Sequence, residues 1–416
     1  MHIVFVTPEL AANNNAAGGL ASFTTNMARI FTDYGHHVSV VFASTKEISL
    51  YLDENIDLYH SFVPLSIWNF LDKAASLCAN CTKKTKSEMR ESFIAVYKSI
   101  QVRKAIDSIN SKRKIDIVHY ASYGTLGLFP NKKIPYVLRM SSVLSIWRGA
   151  NLPIGEYEYE KLPLLVSERL HDYIVKKNRF IISPSKLVAD IVKKNLNDNV
   201  TVLESPFLID EMNWDNNVYE KHLKGKKYIL YYGYLSYYKG IHVIAQLAET
   251  FLKQNPDMYI VMTGKILDVF DTSGNNIRAD EFVINKSGIY AERVLYLGRL
   301  VREDLYPIIK NSELCLLPSR IENLANACVE AMAMGKIVVA TDGASYEQLI
   351  VDRVSGFLCE RDNPDSFLQG INEALNLSEE EKRIMCMNAK KSVKRLRPES
   401  IYQQYFDYYE RVIKEW

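Results

Sequence analysis

Short apolar runs, separated by helical patterns, mark the first half of the chain. The predicted strands of this half span 3–6, 37–43, 115–119, 136–140, 180–183 and 200–203. Buried runs of this kind between helical stretches are typical of a parallel sheet that helices cover on both faces. The first of them opens the domain as a β-loop-α-β unit, with a predicted helix at 20–31 and a second strand at 37–43.

A polar stretch rich in Asn and Asp interrupts this pattern at 206–227, and a second series of strands follows it. Its predicted strands span 228–232, 258–263, 294–297, 314–317 and 337–340, and a helix is predicted at 241–254. A chain of 416 residues exceeds what one hydrophobic core usually holds, so we predict two Rossmann-like α/β domains. The predicted division is a first domain at 1–208, a linker at 209–226, a second domain at 227–398 and a final aromatic-rich helix at 399–416.

Composition narrows the class of protein. With 48% hydrophobic residues, 24% charged residues and a net charge of +2, the chain has the profile of a soluble globular protein and gives no argument for nucleic-acid binding. Cys78 and Cys81 form a C-x-x-C pair without a second pair or a nearby histidine, so we expect no zinc site. The N-terminal run has no basic region before it, and no apolar run approaches 18 residues, so we expect a cytoplasmic protein that does not span a membrane.

One segment of the first domain combines aromatic and basic residues. An apolar aromatic run at 62–71 is followed by a basic stretch, and residues 61–114 contain eleven Lys and Arg against four Asp and Glu, an excess of seven. One interpretation is a peripheral contact of 62–114 with an anionic membrane surface at the inner membrane face, or with a lipid-linked acceptor. The other interpretation is a buried helix followed by a solvated basic helix.

The stretch 318–335, PSRIENLANACVEAMAMG, contains two glutamates eight positions apart, Glu322 and Glu330. A strand precedes it, a helix is predicted at 327–334, and Gly335 occupies the position of a helix C′ glycine. Glu322 should lie in the loop and Glu330 about two turns into the helix, roughly 12 Å away along the axis. Because ligands of such sheets lie beyond the carboxyl ends of the strands, two acceptors at this separation could hold two hydroxylated parts of one extended ligand.

This stretch resembles the E-x7-E signature of the type 4 family of retaining glycosyltransferases, in which proline, serine, both glutamates, the EAMA block and the glycine match in register. The resemblance covers most of the chain. It implies the GT-B fold, in which an acceptor-binding domain and a nucleotide-sugar-binding domain face each other across a cleft and a final helix crosses back to the first domain. It also implies transfer of a hexosyl group from a nucleoside diphosphate sugar, with UDP favoured, to a glycan or lipid-linked acceptor in bacterial surface polysaccharide synthesis.

The resemblance assigns roles to individual residues. Glu330 would hold ribose hydroxyls, Glu322 sugar hydroxyls, and Lys239 the departing diphosphate. His119 is a candidate contact with the donor sugar, and a buried structural histidine is the equal alternative. The other candidate donor-binding residues are Gly18, Gly19, Gly233, Tyr234, Gly298, Arg299, Ser319, Asn323, Leu324 and Ala325. The strand end at 263–265 is a further candidate to face the sugar or the phosphates.

Two features depart from, or restrict, this assignment. Tyr234 stands where the family has an arginine, so another cation, Arg299 or Arg320, would have to neutralise the diphosphate. The chain has no Asp-x-Asp pair to hold a divalent ion, so we expect catalysis without an obligatory metal ion or other cofactor. Two alternatives stay open, namely a non-catalytic nucleotide-sugar-binding subunit and a nucleotide-sugar epimerase on the same fold.

Overall fold

The computed structural model describes residues 1–11, 18–48, 52–207, 214–270 and 274–416. These residues fold into two compact units. The first unit comprises Met1–Ser145, Glu158–Pro206 and Pro398–Trp416, and the second comprises Ile146–Tyr157 and Phe207–Arg397. The last residue of the predicted first domain, 208, residues 209–213 of the predicted linker and residues 12–17 after the first strand lie outside the described residues.

The first unit is built on a seven-stranded sheet in which every pairing is parallel. Its strands are β1 (His2–Thr7), β2 (His37–Ala43), β3 (Ile56–Ser61), β4 (Ile117–Ala121), β5 (Tyr136–Arg139), β6 (Ile181–Ser183) and β7 (Val200–Val202). The strand order is β3-β2-β1-β4-β5-β6-β7. The six predicted strands of this half are present, and β3 is an additional edge strand.

The second unit contains a six-stranded parallel sheet and a small antiparallel hairpin. Its strands are β8 (Lys227–Tyr232), β9 (Met258–Thr263), β10 (Asp268–Phe270), β11 (Asn276–Arg278), β12 (Val294–Tyr296), β13 (Leu314–Leu317), β14 (Val338–Thr341) and β15 (Phe357–Cys359). The sheet order is β12-β9-β8-β13-β14-β15, and β10 and β11 form the hairpin. In order of appearance this is 3-2-1-4-5-6, the arrangement of dinucleotide-binding sheets, so the predicted fold class is confirmed.

Helices alternate with these strands along the chain. They are α1 (Gly19–Asp33), α2 (Leu65–Cys81), α3 (Lys86–Lys112), α4 (Leu144–Ala150), α5 (Val166–Lys177), α6 (Lys186–Asn195), α7 (Asn217–His222), α8 (Ile241–Gln254), α9 (Ala279–Lys286), α10 (Arg302–Asn311), α11 (Asn326–Ala333), α12 (Pro364–Asn376), α13 (Glu379–Val393) and α14 (Pro398–Glu415). None of the helices in the described ranges is both long enough and apolar enough to cross a membrane.

The last helix, α14, packs within the first unit through a stripe of apolar and aromatic side chains. Ile401, Tyr405, Tyr408 and Val412 are buried at intervals of three or four residues, as expected for one face of a helix. The Tyr405 hydroxyl donates a hydrogen bond to the Leu203 carbonyl oxygen at 3.1 Å. This stripe completes the core of the first unit beside α1.

Helix α2 exposes apolar side chains to solvent. Of its residues only Ala75 is buried, whereas Leu65, Phe70 and Leu77 are 74%, 67% and 68% exposed. The interpretation of this segment as a buried helix is therefore wrong.

Candidate functional site

The order of the second sheet reverses between β8 and β13, and the loops that follow these two strands contain most of the predicted site residues. Ligands of open α/β sheets bind in the crevice at such a reversal point. Gly240 ends the β8 loop in the left-handed conformation, with φ of 76°, and a Cβ there would collide with the Pro318 carbonyl oxygen. The Arg320 amide also donates to the Tyr238 carbonyl oxygen at 2.8 Å. The two loops are therefore in direct backbone contact.

Lys239 and Glu322 form an ion pair where these loops meet. The Ser319 hydroxyl donates to the same carboxylate oxygen of Glu322 at 2.8 Å, and the Tyr346 hydroxyl donates to the Ser319 oxygen at 3.0 Å. The Glu322 amide donates to the Ala344 carbonyl oxygen at 3.1 Å. The carboxylate is thus fixed at the mouth of the crevice by a lysine and a serine that the sequence also singled out.

Arg320 holds the loop after β13 in place through buried hydrogen bonds. Its guanidinium is 3% exposed, bonds Asp362 through Nε at 2.8 Å, and donates to the carbonyl oxygens of Ala150 and Pro153 at 3.1 Å each. All of these partners belong to the second unit. A guanidinium so enclosed cannot turn towards a diphosphate, so Arg320 is not the substitute cation that the sequence suggested.

The partly exposed carboxylate of Asp362 has three hydrogen-bonding partners, namely Arg320, His242 and Tyr157. His242 Nε2 lies 2.7 Å from Oδ1, and the Tyr157 hydroxyl donates to Oδ2. Burial alone would raise the pKa of this carboxyl, but the hydrogen bonds from His242, Tyr157 and Arg320 hold its pKa well below the ordinary range. A charged, fully partnered Asp362 thereby fixes Arg320.

Glu330 is the fifth residue of α11, so it lies nearer to the start of the helix than the predicted two turns. The helix begins at Asn326, so Glu322 precedes it in a loop, and the rise of a helix does not give the distance between the two glutamates. Glu330 is 7% exposed, and the Nε atom of Arg302 lies 3.6 Å from its Oε1. Burial raises the pKa of Glu330 to about 7, although Arg302 acts in the opposite direction.

The start of α11 faces the same strand ends. Ala325 caps the helix in an extended conformation, and Asn323 and Leu324 form the bend before it. The first amide groups of a helix have no partner within the helix and favour an anion at that end. The start of α11 therefore favours an anion at the crevice, next to the Lys239–Glu322 ion pair.

Gly233, Tyr234 and Gly298 lie at the neighbouring strand ends. The Gly233 amide donates to the Thr263 carbonyl oxygen at 3.0 Å, and the Gly298 carbonyl oxygen accepts from the Thr263 hydroxyl at 2.7 Å. Tyr234 is 43% exposed, and Arg299, which follows Gly298, is also exposed. These residues thus share one edge of the sheet with Lys239.

In the first unit, Gly18 and Gly19 begin α1 after β1, beside the point where that sheet reverses its order between β1 and β4. A Cβ on Gly18 would lie 3.4 Å from the Glu9 Oε2 atom, an ordinary contact. The backbone of Gly18 is extended, with φ of −67°, so its conformation does not require a glycine.

His119 lies inside the first unit. It is 2% exposed, its Nδ1 atom lies 2.6 Å from the Tyr409 hydroxyl, and its ring lies 5.3 Å from that of Phe5. Burial lowers its pKa well below the usual value, so the ring is neutral. The structure supports the alternative of a structural histidine, and we do not carry His119 into the proposed site.

Comparisons with known proteins agree with this geometry. Residues 214–392 match the sequence profile of the family described as glycosyl transferases group 1. An uncharacterized glycosyltransferase of Methanocaldococcus jannaschii is 24% identical over 90% of this chain and 89% of its own length. A sucrose-phosphate synthase from Thermosynechococcus elongatus superposes with a TM-score of 0.71 at 13% identity over the full length of both chains. The Anabaena protein HepE, solved with UDP and glucose, superposes with a TM-score of 0.67 at 16% identity, over 97% of this chain and 98% of its own length.

The two parallel sheets and these structural matches show the GT-B fold. Residues 214–392, which form most of the second unit, are similar to the group 1 glycosyltransferases, and the similarity to the Methanocaldococcus glycosyltransferase extends over 90% of the chain.

Proposed function

We propose that the protein is a retaining hexosyltransferase that uses a UDP-sugar and needs no obligatory metal ion. Its acceptor would be a glycan or a lipid-linked saccharide in bacterial surface polysaccharide synthesis. The observation that carries the proposal is the Lys239–Glu322 pair at the reversal point of a Rossmann-type sheet, with Glu330 buried in the helix that follows. The UDP complex of the structurally similar Anabaena protein supports the choice of nucleotide.

Glu330 would recognise the ribose of the donor. A carboxylate can accept hydrogen bonds from both ribose hydroxyls, and its position in the first part of α11 is near the electropositive start of that helix. The free protein holds Glu330 at a pKa of about 7 because the side chain is buried. Hydroxyl donors stabilise the charged form, so nucleotide binding should lower this pKa.

Lys239 and Glu322 would exchange partners when the donor binds. The ammonium group would move its interaction from the carboxylate to the diphosphate, and Glu322 would accept hydrogen bonds from sugar hydroxyls. During transfer, the bond between the anomeric carbon and the diphosphate oxygen breaks, and its electron pair passes to that oxygen. The acceptor hydroxyl oxygen bonds to the same face of the anomeric carbon, and its proton passes to the leaving phosphate. Lys239 and the first amides of α11 stabilise the charge that develops there.

We further propose that the first unit meets an anionic membrane at its cytoplasmic face through α2. The exposed Leu65, Phe70 and Leu77 would insert between headgroups, and the exposed Lys73 and Lys83 would contact them. Sedimentation with vesicles containing phosphatidylglycerol tests this proposal. We expect the unmodified protein to bind these vesicles and the double variant with Phe70→Ser and Leu77→Ser to lose binding. Equal binding of the unmodified protein and the double variant would contradict the membrane contact.

The transfer reaction is tested by incubating the protein with a panel of UDP-hexoses and saccharide acceptors in EDTA. UDP release, together with a product whose anomeric configuration matches the donor by NMR, is the expected result. The variant Glu322→Gln should lower turnover strongly while the fold is kept. UDP binding without transfer or hydrolysis in the presence of all acceptors would support the non-catalytic subunit instead.

A further inference from the structure

A second lysine lies at the same sheet edge as Lys239. Lys265 follows β9, is exposed, and places its Nζ atom 5.8 Å from the centre of the Tyr234 ring. This distance is within the range of a cation–π contact. No carboxylate in the described ranges pairs with Lys265, so its charge is available to a ligand.

The backbone fixes Lys265 beside Tyr234. The Leu235 amide donates to the Lys265 carbonyl oxygen at 2.9 Å, and the Leu267 amide donates to the Leu235 carbonyl oxygen at 3.0 Å. These bonds continue the parallel pairing of β8 and β9 beyond the strand ends. Gly264 permits this approach, because a Cβ there would collide with the Gly233 carbonyl oxygen.

Two lysines thus flank a pair of tyrosine rings. The rings of Tyr234 and Tyr238 meet edge to face at 6.5 Å, and the Nζ atom of Lys239 lies 5.3 Å from the Tyr238 ring. Lys239 is neutralised by Glu322 in the free protein, whereas Lys265 adds an uncompensated positive charge. A diphosphate carries more negative charge than one ammonium group can balance, so a site for it gains from a second cation.

We propose that Lys265 contacts the diphosphate of the donor and stabilises it as it leaves, together with Lys239. Tyr234 is a positioning residue, whose ring holds the Lys265 ammonium at the crevice. This arrangement supplies from β9 the positive charge that the sequence lacks at position 234. The inference rests on the proposed function, since it assigns a residue to the diphosphate of the same donor.

The chain contains a matched control at the opposite end of the same two strands. Lys226 precedes β8, and its Nζ atom lies 5.6 Å from the ring of Tyr259, the second residue of β9. Lys226 and Lys265 therefore make the same kind of contact across β8 and β9, but only Lys265 lies at the carboxyl ends, where the ligand is expected.

The test compares Lys265→Met and Lys226→Met for turnover of a UDP-hexose and for affinity for UDP and for uridine. Lys265→Met should lower kcat about 100-fold and weaken UDP binding while leaving uridine affinity unchanged, whereas Lys226→Met should change none of these. Adding Tyr234→Arg to Lys265→Met should recover at least about tenfold in kcat, because it returns a cation to the diphosphate.

Two results would overturn the inference in different ways. If Lys265→Met matches Lys226→Met in turnover and in UDP affinity, Lys265 does not contact the diphosphate, and the proposed function still stands. If the unmodified protein neither binds UDP nor cleaves any sugar nucleotide, the proposed function fails and the role of Lys265 fails with it.

Discussion

Replacing Glu330 by glutamine should change how the stability of the protein depends on pH. The carboxyl is buried, and its pKa is raised from 4.5 to about 7, so the native state binds this proton more tightly than the unfolded state does. The free energy of unfolding must then fall as pH rises from about 4.5 to about 7, and the full cost is present above pH 7. Glutamine keeps the shape of the protonated side chain and does not titrate.

The size of the effect follows from the two pKa values. Each tenfold change in proton affinity is worth about 1.36 kcal/mol, so the ionised carboxylate costs the native state about 3 kcal/mol. Glu330→Gln should therefore be close to neutral at pH 5 and stabilising by up to about 3 kcal/mol at pH 8.5. For a unit of this size, that is a rise in Tm of about 6 to 12 °C.

Thermal melting of both proteins between pH 5 and pH 8.5, without nucleotide, measures this difference. The Tm values should coincide near pH 5 and diverge above pH 6. The exposed Glu292, replaced by glutamine in the same way, should show no divergence. A Tm difference for Glu330→Gln that is constant across the pH range would refute the argument, because it would mean that Glu330 is ionised in the native protein throughout.

Three further predictions follow from the site. Calorimetry in buffers of different ionisation enthalpy should detect release of about half a proton when UDP binds at pH 7, because ligand hydroxyls favour the charged form of Glu330; Glu330→Gln should release none. Gly240→Ala should lower stability by at least about 3 kcal/mol in denaturant titrations, because the added Cβ would collide with the loop after β13. The control Gly225→Ala should cost only about 1 kcal/mol, because Gly225 has a similar positive φ but open space around it. Equal losses in the two variants would contradict the contact between the loops. Arg320→Met should cost about 2 to 4 kcal/mol, because it removes the hydrogen bonds of a buried guanidinium to two backbone carbonyl groups and to the partly exposed Asp362 carboxylate. Arg353→Met, in an exposed ion pair, should cost less than about 1 kcal/mol, and similar melting of these two variants would contradict the anchoring role of Arg320.

The sequence predicted the buried strands well because their composition reflects burial on both faces. Strands β2 and β13 have the predicted bounds, and helix α8 matches its predicted range. The missed strands are those with weak apolar signals. β3, with the sequence IDLYHS, and β15, with three residues, are edge strands, and the hairpin of β10 and β11 is largely exposed. Edge positions bury fewer side chains, so pairing in the fold rather than composition establishes them.

The sequence predicted those site residues that belong to short local motifs in the loops after β8 and β13. Glu322, Ser319 and Lys239 lie in two strand-end loops, and the parallel order of β8 and β13 brings these loops together. Side chains that act from distant segments gave no such signal. Tyr346 supports Ser319 from another loop, and Arg320 is enclosed by carbonyl groups of 150–153, which no local pattern relates to it.

His119 is a residue for which the sequence left two alternatives open, a contact with the donor sugar and a buried structural histidine. A histidine at the end of a central strand fits a ligand contact by its position in the sequence, but aromatic residues of α1 and α14 cover it in the fold. Only the packing of the last helix, far away in sequence, determines that this ring is buried.

The central claim is that Glu330 holds the nucleotide of a UDP-sugar at the reversal point of the second sheet. Calorimetric titration of UDP into the unmodified protein and into Glu330→Ala tests it most directly, with Lys226→Ala as the control. Loss of two hydrogen bonds to a charged acceptor should weaken UDP binding by at least about 100-fold, while the control binds as the unmodified protein does. An unchanged UDP affinity in a folded Glu330→Ala protein would contradict the claim.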